Sequence, residues 1–224
     1  MTGAAHGFAP LRVTARLAHP GVLRDHPVLD GLLLAGEAAR LDPASMAEAD
    51  ALPLPLARVE TAHGWWWAAS QATLRGVEAG AFGNRRPPIR LAEMLISDRT
   101  MSTVTGPDKM LRQPLSYRPE MLEMTFTCIG AAPEIARALS YVGGVGHRRA
   151  HGWGWILDWA VEADPSGPSL ADYATDLRLR HLPAAVARLT PGARAMTKDI
   201  PLTPPYWQRP RAVRCLALAP QRAA

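Results

Sequence analysis

The stretch Gly143-Gly144-Val145-Gly146-His147-Arg148-Arg149-Ala150-His151-Gly152-Trp153-Gly154-Trp155 limits the possible folds of this chain more than any other. Two Gly-x-Gly pairs flank a short basic run. Glycine admits positive φ and lets another backbone approach closely. The loop therefore offers backbone N–H groups and positive side chains together, which suits an anion such as a phosphate. An amphipathic stretch, residues 132–141, precedes it, and a strand-like run, residues 155–162, follows. The order is helix, glycine loop, strand. The nucleotide-binding α/β folds run the other way, strand, loop, helix. Five residues separate Gly146 from Gly152, which breaks the dinucleotide fingerprint, and the chain has no Gly-Lys-Ser/Thr tripeptide. Both nucleotide-loop readings fail on spacing and context. A glycine-rich hairpin with a solvated basic tip is the simpler alternative.

The rest of the chain reads as mixed strands and helices. Residues 1–9 are expected to fray. Residues 11–17 alternate Leu11, Val13, Ala15 and Leu17 with Arg12, Thr14 and Arg16, a half-buried strand with arginines on its outer face. A loop with His19, Arg24 and His26 leads to a helix over 28–40, where Asp30 in the first turn complements the helix dipole. A polar connector, 41–53, precedes two strands, 54–60 and 64–70, which turn at Thr61-Ala62-His63. Of the consecutive tryptophans, Trp65 and Trp67 share one strand face and Trp66 takes the other. Core or subunit packing is their expected use, and base stacking by Trp66 or its neighbours is the alternative.

Residues 75–118 hold three basic, turn-rich runs, around Arg85-Arg86, Arg99, and Lys109 with Arg112. The segment is too long for an ordinary connection, so it reads as a functional β-hairpin insertion. Residues 120–128 alternate Leu122, Met124, Phe126 and Cys128 with Glu123, Thr125 and Thr127, again a strand. The helix at 132–141 has Pro133 in its first turn and an apolar stripe of Ile135, Ala138 and Leu139. Beyond the linker Asp164-Pro165-Ser166-Gly167-Pro168, the tail shows no independent domain, and residues 212–218 are expected to add a strand to the sheet.

Composition narrows the function classes. A chain of 224 residues with 48% hydrophobic content is expected to form one large domain, or one domain with an elaboration, with a sizeable core. No apolar run approaches a membrane span, and residues 1–6 lack the charged and apolar regions of a signal peptide. Two cysteines, Cys128 and Cys215, are too few for a disulfide framework or a structural zinc site, so each is expected to be buried in a reducing cytosol. The net charge of +5 permits a polyanionic partner. Only Lys109 and Lys198 are lysines; the other basic residues are arginines, whose planar fork suits phosphates and base faces. There is no Gly-x-Ser-x-Gly and no Cys-x-x-Cys, and acidic residues are too scattered for a two-metal nuclease site.

The paired Gly-x-Gly loop with its basic run resembles the glycine-rich loop of the RAMP superfamily of CRISPR-associated RNA-binding proteins. Three further stretches share the resemblance. Residues 11–17 with His26-Pro27-Val28-Leu29-Asp30-Gly31-Leu32-Leu33 resemble the first strand and Leu-Asp-x-Leu-Leu helix of one branch. Gly64-Trp65-Trp66-Trp67-Ala68-Ala69-Ser70 resembles its aromatic strand, and Pro204-Pro205-Tyr206-Trp207 its closing motif. Taken in order, the four are similar to the small subunit of type IV CRISPR complexes, over roughly residues 10–215.

The resemblance implies an α+β fold with a ferredoxin-like (RRM-like) β-α-β-β-α-β core at 10–162, including the 75–118 insertion, and a C-terminal extension at 163–224, all in one domain. It implies a non-catalytic crRNA-binding subunit that grips the 5′ handle of the guide RNA and caps a filament of backbone subunits. Gly144, Gly146 and Gly152 would admit the RNA backbone, Arg148 and Arg149 would pair with phosphates, and His147 and His151 would hydrogen-bond or stack. Arg24, His26, Arg85, Arg86, Arg99, Lys109 and Arg112 complete the expected RNA-binding set. The partners would be crRNA and the backbone and large subunits, with target nucleic acid reached indirectly. No metal, cofactor or membrane is expected, and the setting is a prokaryotic cytoplasm. The alternative is a metal-independent guide-processing endoribonuclease with His26 as general base. Against it, the glycine loop lies about seventy residues from the C-terminus, whereas processing enzymes of the superfamily usually carry it near the end. A third possibility is a structural adaptor that assembles without RNA.

Overall fold

The computed structural model describes residues 7–18, 27–42, 48, 52–75, 80–82, 115–117, 123–146, 154–188, 195–203 and 212–218. The fold is α+β and built on antiparallel sheets. In chain order the elements are β1 (Ala9–Leu17), α1 (Leu29–Leu41), β2 (Arg58–Thr61), β3 (Gly64–Trp67), β4 (Thr73–Arg75), β5 (Gly80–Phe82) and β6 (Leu115–Tyr117). They continue as β7 (Glu123–Gly130), α2 (Ala132–Leu139), β8 (Ile156–Ala163), α3 (Leu170–Thr175), β9 (Leu182–Pro183), β10 (Ala195–Pro201) and β11 (Ala212–Leu218).

The main sheet has four strands in the order β4-β7-β1-β8. Every neighbouring pair is antiparallel. The first strand lies inside the sheet, between β7 and β8, and its alternation fits a strand packed on one face. Leu11, Val13, Ala15 and Leu17 are buried, and their cross-strand neighbours Cys128, Phe126 and Met124 on β7 share that face. Leu29 and Leu33 of α1 and Ile135, Ala138 and Leu139 of α2 close the core above it. α2 carries Pro133 in its first turn, where the missing N–H leaves no intrahelical bond unmade. It ends at Leu139, two residues before the expected limit, where the Ser140 hydroxyl donates to the Arg137 carbonyl and the Tyr141 N–H to that of Ala138.

The two helices meet at a glycine. A Cβ on Gly36 would overlap the Ala138 carbonyl oxygen and lie 2.9 Å from its carbon and 3.2 Å from Val142 Cγ2. Backbone cannot step aside as a side-chain tip can. Gly36→Ala is therefore expected to destabilise the fold by about 1–3 kcal/mol, although alanine is the better helix former. Thermal unfolding should show a fall of several degrees at this size; an unchanged or raised midpoint would show that the helices are free to separate.

β2 and β3 form a separate two-stranded ribbon, with Thr61 paired to Gly64 across the turn at Ala62-His63. The ribbon is shorter than the expected strands at 54–60 and 64–70. The strand that flanks β7 in the main sheet is β4, which follows it. The tryptophans divide as the strand period requires. Trp67 is buried in the main core with Trp65 edge-on at 5.2 Å, and the Arg58 guanidinium lies 4.1 Å over the Trp65 ring. Trp66 faces the other way into a second core, with no exposed surface, and its Nε1 donates to the Tyr173 carbonyl at 3.0 Å. Base stacking by Trp66 is thereby ruled out, because the indole is sealed inside and its N–H is already used.

The second core corrects one expectation. Residues 212–218 do form a strand, but β11 pairs with β10 and β9 in its own three-stranded sheet, not with the main sheet. The reason is that the extension has its own apolar faces to bury. Tyr173, Leu177, Leu182, Leu202 and Cys215 gather with Val59, Trp66 and Ile129 on the far side of the main sheet. α3 opens with a capping box, in which the Asp172 N–H donates to the Ser169 hydroxyl and the Ser169 N–H to the Asp172 carboxylate. The Tyr173 hydroxyl reaches Thr127 Oγ1 at 2.8 Å, and Arg12 reaches Asp164 at 3.1 Å. The extension thus covers the Arg12 and Thr127 end of the outer sheet face.

A buried charge binds extension to core. Arg180 is only 3% exposed and donates to the carbonyls of Trp67 at 2.6 Å and Leu202 at 2.9 Å, with that of Ala69 at 3.4 Å. It also lies 3.5 Å from Asp30, the first-turn carboxylate of α1, which is itself fully buried and accepts from the Gly31 N–H.

Candidate nucleic-acid interface

The glycine stretch begins where α2 ends and closes where β8 begins. Its base is a short antiparallel ladder. Gly144 bridges Trp155, the Val145 N–H donates to the Gly154 carbonyl at 2.9 Å, and the Ile156 N–H donates to that of Gly143 at 3.0 Å. Gly146 and Gly154 take φ of 81° and 66°, values that a side chain disfavours, so these two positions bend the chain out of the ladder and back. Two of the expected site residues, Gly144 and Gly146, are placed by this ladder. His147, Arg148, Arg149, His151 and Gly152 lie outside the described residues, as do Arg24, His26, Arg85, Arg86, Arg99, Lys109 and Arg112.

The strand register brings together the points where the segments holding these residues join the fold. Leu17 pairs with Ile156 at the start of β8, and the next N–H, that of Ala18, donates to the Trp155 carbonyl at 2.9 Å. The segment at 19–26 therefore departs beside the base of the glycine loop. At the same end, Arg16 pairs with Glu123, and Glu123 with Arg75. Arg75 and Glu123 are the two residues from which the chain of 76–122 leaves and to which it returns. Within that segment, β5 and β6 pair antiparallel, Gly80 with Tyr117 and Phe82 with Leu115, which gives the expected hairpin a stem. Ala18, Arg75, Glu123, Gly146 and Gly154 thus border three sequence-distant segments at one end of one sheet. Those segments hold every residue in the expected RNA-binding set apart from Gly144 and Gly146.

The sheet face at this end is charged but internally paired. Across the four strands runs the row Arg75, Glu123, Arg16, Asp158. Arg16 Nε donates to both Asp158 oxygens, at 2.8 and 3.1 Å. These hydrogen bonds hold the Asp158 carboxyl below the usual carboxylate range and raise the Arg16 guanidinium. Arg75 stands 3.8 Å from Glu123. One step further in, Thr73, Thr125, Thr14 and Ala160 line up across the strands. The positive charge of this row is therefore balanced in place.

The cysteines are buried as expected. Desolvation pushes the thiols up, to about 12 for Cys128 and about 11 for Cys215, so neither supplies a thiolate nucleophile at neutral pH. Burial likewise raises the Tyr173 phenol. Among the described residues, no group of three His, Cys, Asp or Glu side chains could hold a metal, and no helix is long and apolar enough to cross a membrane.

Sequence reasoning did not single out Trp155. It reads as the first residue of an apolar strand run, yet the structure leaves it 60% exposed. The missed signal is its cross-strand partner, since Gly144 has no side chain with which to cover an indole. No protein-family model matches the chain, and a search of curated proteins finds no match either.

Proposed function

We propose that this chain is a non-catalytic RNA-binding subunit of a type IV CRISPR ribonucleoprotein, with a ferredoxin-like core. In this reading it grips the 5′ handle of the guide RNA and caps the filament of backbone subunits. The observation that carries it is that three segments basic in sequence are anchored at one end of a four-stranded antiparallel sheet, through Ala18, Arg75, Glu123, Gly146 and Gly154. The order β8-β1-β7-β4, with α1 after β1 and α2 after β7, supports the split β-α-β reading of the core, in which each helix returns the chain to the same face. The ladder under the glycine loop supports a role in close backbone approach, and the hairpin stem at β5 and β6 supports an arm reaching RNA or a neighbouring subunit.

A grip dominated by phosphates makes affinity fall steeply with salt. The test is a labelled guide RNA containing the repeat, run on native and denaturing gels without metal. Intact RNA should bind the wild type. The double variant Arg148→Ala/Arg149→Ala should lose at least about tenfold in affinity and flatten the salt dependence by about two phosphate contacts. Cleavage at one position, abolished by His26→Ala, would replace this reading with the processing enzyme. No binding at low salt, together with assembly on neighbouring subunits without RNA, would leave a structural adaptor.

A further inference from the structure

We infer that Trp155 is a nucleobase-stacking residue, whose indole receives one unpaired base of a single-stranded RNA. The inference rests on the RNA-binding reading above and names a contact within it. Tryptophan is on average a highly buried residue, and among the described residues Trp155 is the most exposed aromatic side chain. Its backbone is fixed nonetheless. Trp155 is bridged to Gly144 on one side, and its carbonyl accepts from Ala18 on the other. The ring is thus mounted on a hydrogen-bonded ladder, while both flanking residues are too small to pack over it.

Its direction also fits. Ile156 is buried with the helices, so strand alternation turns Trp155 to the opposite, open side, which it shares with Arg16 and Asp158. The register slips between Arg16 and Leu17, and the extra residue, Leu157, is 67% exposed beside it. The sequence around it favours a base: the row Arg75, Glu123, Arg16 and Asp158 that adjoins is polar and charge-paired, and Arg148 and Arg149 belong to the same glycine stretch. An aromatic ring close in the chain to basic residues is an ordinary device for holding single-stranded nucleic acid, because every base has a π-face while cations take the phosphates.

The test measures binding of a labelled single-stranded repeat RNA to the full chain by fluorescence anisotropy, using wild type, Trp155→Phe, Trp155→Leu and Trp155→Ala. Affinity should fall roughly fivefold to a hundredfold for the alanine and leucine variants and stay near wild type for phenylalanine. The salt dependence should be unchanged in all of them, since no phosphate contact is lost. Removing a single base from the RNA, at the position that stacks, should weaken wild type to the level of Trp155→Ala and weaken that variant no further. Unaltered affinity in Trp155→Ala, with wild type still binding RNA, overturns the stacking role alone. So does leucine serving as well as phenylalanine, which would mark a generic apolar contact, or loss of subunit association in place of RNA affinity. A wild type that binds no RNA at low salt instead overturns the functional reading itself, and this inference with it.

Discussion

Replacing Arg180 with methionine should lower stability by about 3–5 kcal/mol, the usual cost of breaking a buried ionic contact from one side. The carbonyls of Trp67 and Leu202 lose their short donor contacts in a place water does not reach, and Asp30 loses its nearby cation. The Leu202 carbonyl then bears the desolvation cost of a lost charged donor, while that of Trp67 keeps only the Ala69 N–H at 2.8 Å. For a chain of this size the thermal midpoint should drop by roughly 10 °C. Lysine should not rescue it, because one ammonium cannot span carbonyls from the tryptophan strand and the extension as the guanidinium fork does. Adding Asp30→Asn to Arg180→Met should recover part of the loss by removing a buried carboxylate charge whose nearby guanidinium is gone. Circular dichroism melts of the three variants decide the matter. A change below about 1 kcal/mol in Arg180→Met would mean that the extension is held by its apolar contacts alone.

Trp66→Ala should be comparably damaging, by about 3–5 kcal/mol, since it empties the centre of the second core and leaves the Tyr173 carbonyl without its indole donor. The informative contrast is with function. Because Trp66 has no exposed surface, the variant should bind RNA with unaltered affinity once corrected for the folded fraction. A selective loss of RNA affinity in a fully folded Trp66→Ala protein would instead show that the second core opens to admit a base.

The contrast between Arg178 and Arg180 shows how far the sequence is readable. Both lie in Asp176-Leu177-Arg178-Leu179-Arg180, with the same local pattern. Yet Arg178 is exposed on Asp176, and Arg180 is buried at the centre of the molecule. The difference comes from Asp30 and from carbonyls far away in the chain, so no local signal could separate them. The elements of the main core were legible because their periodicity reports a local face. β1, β7 and both helices lie within a few residues of their expected limits, and the split of Trp65 and Trp67 from Trp66 follows from strand alternation alone. Pairing is a different matter. The affinity of β11 for β9 and β10 depends on which apolar faces are left over after the main sheet is built, and the sequence does not state that remainder. The site follows the same rule. The glycine stretch announced itself, whereas Trp155 became visible only when Gly144 was found opposite it.

The central place of β1 has a consequence for synthesis of the chain. Val13 lies between Phe126 and Val161, so the strand of this sheet that is made earliest is the one whose two partners are made last. At ordinary elongation rates it waits on the order of ten seconds for them, with both edges unpaired. α1 and then Leu54, Leu56, Trp67 and Ala69 of the same core are made earlier, but a strand without a hydrogen-bonded neighbour in its sheet does not make a stable unit. The main sheet therefore closes as a late event, when β8 arrives at the outer edge of β1. The glycine loop, which immediately precedes β8, takes its anchored form at the step that completes the sheet.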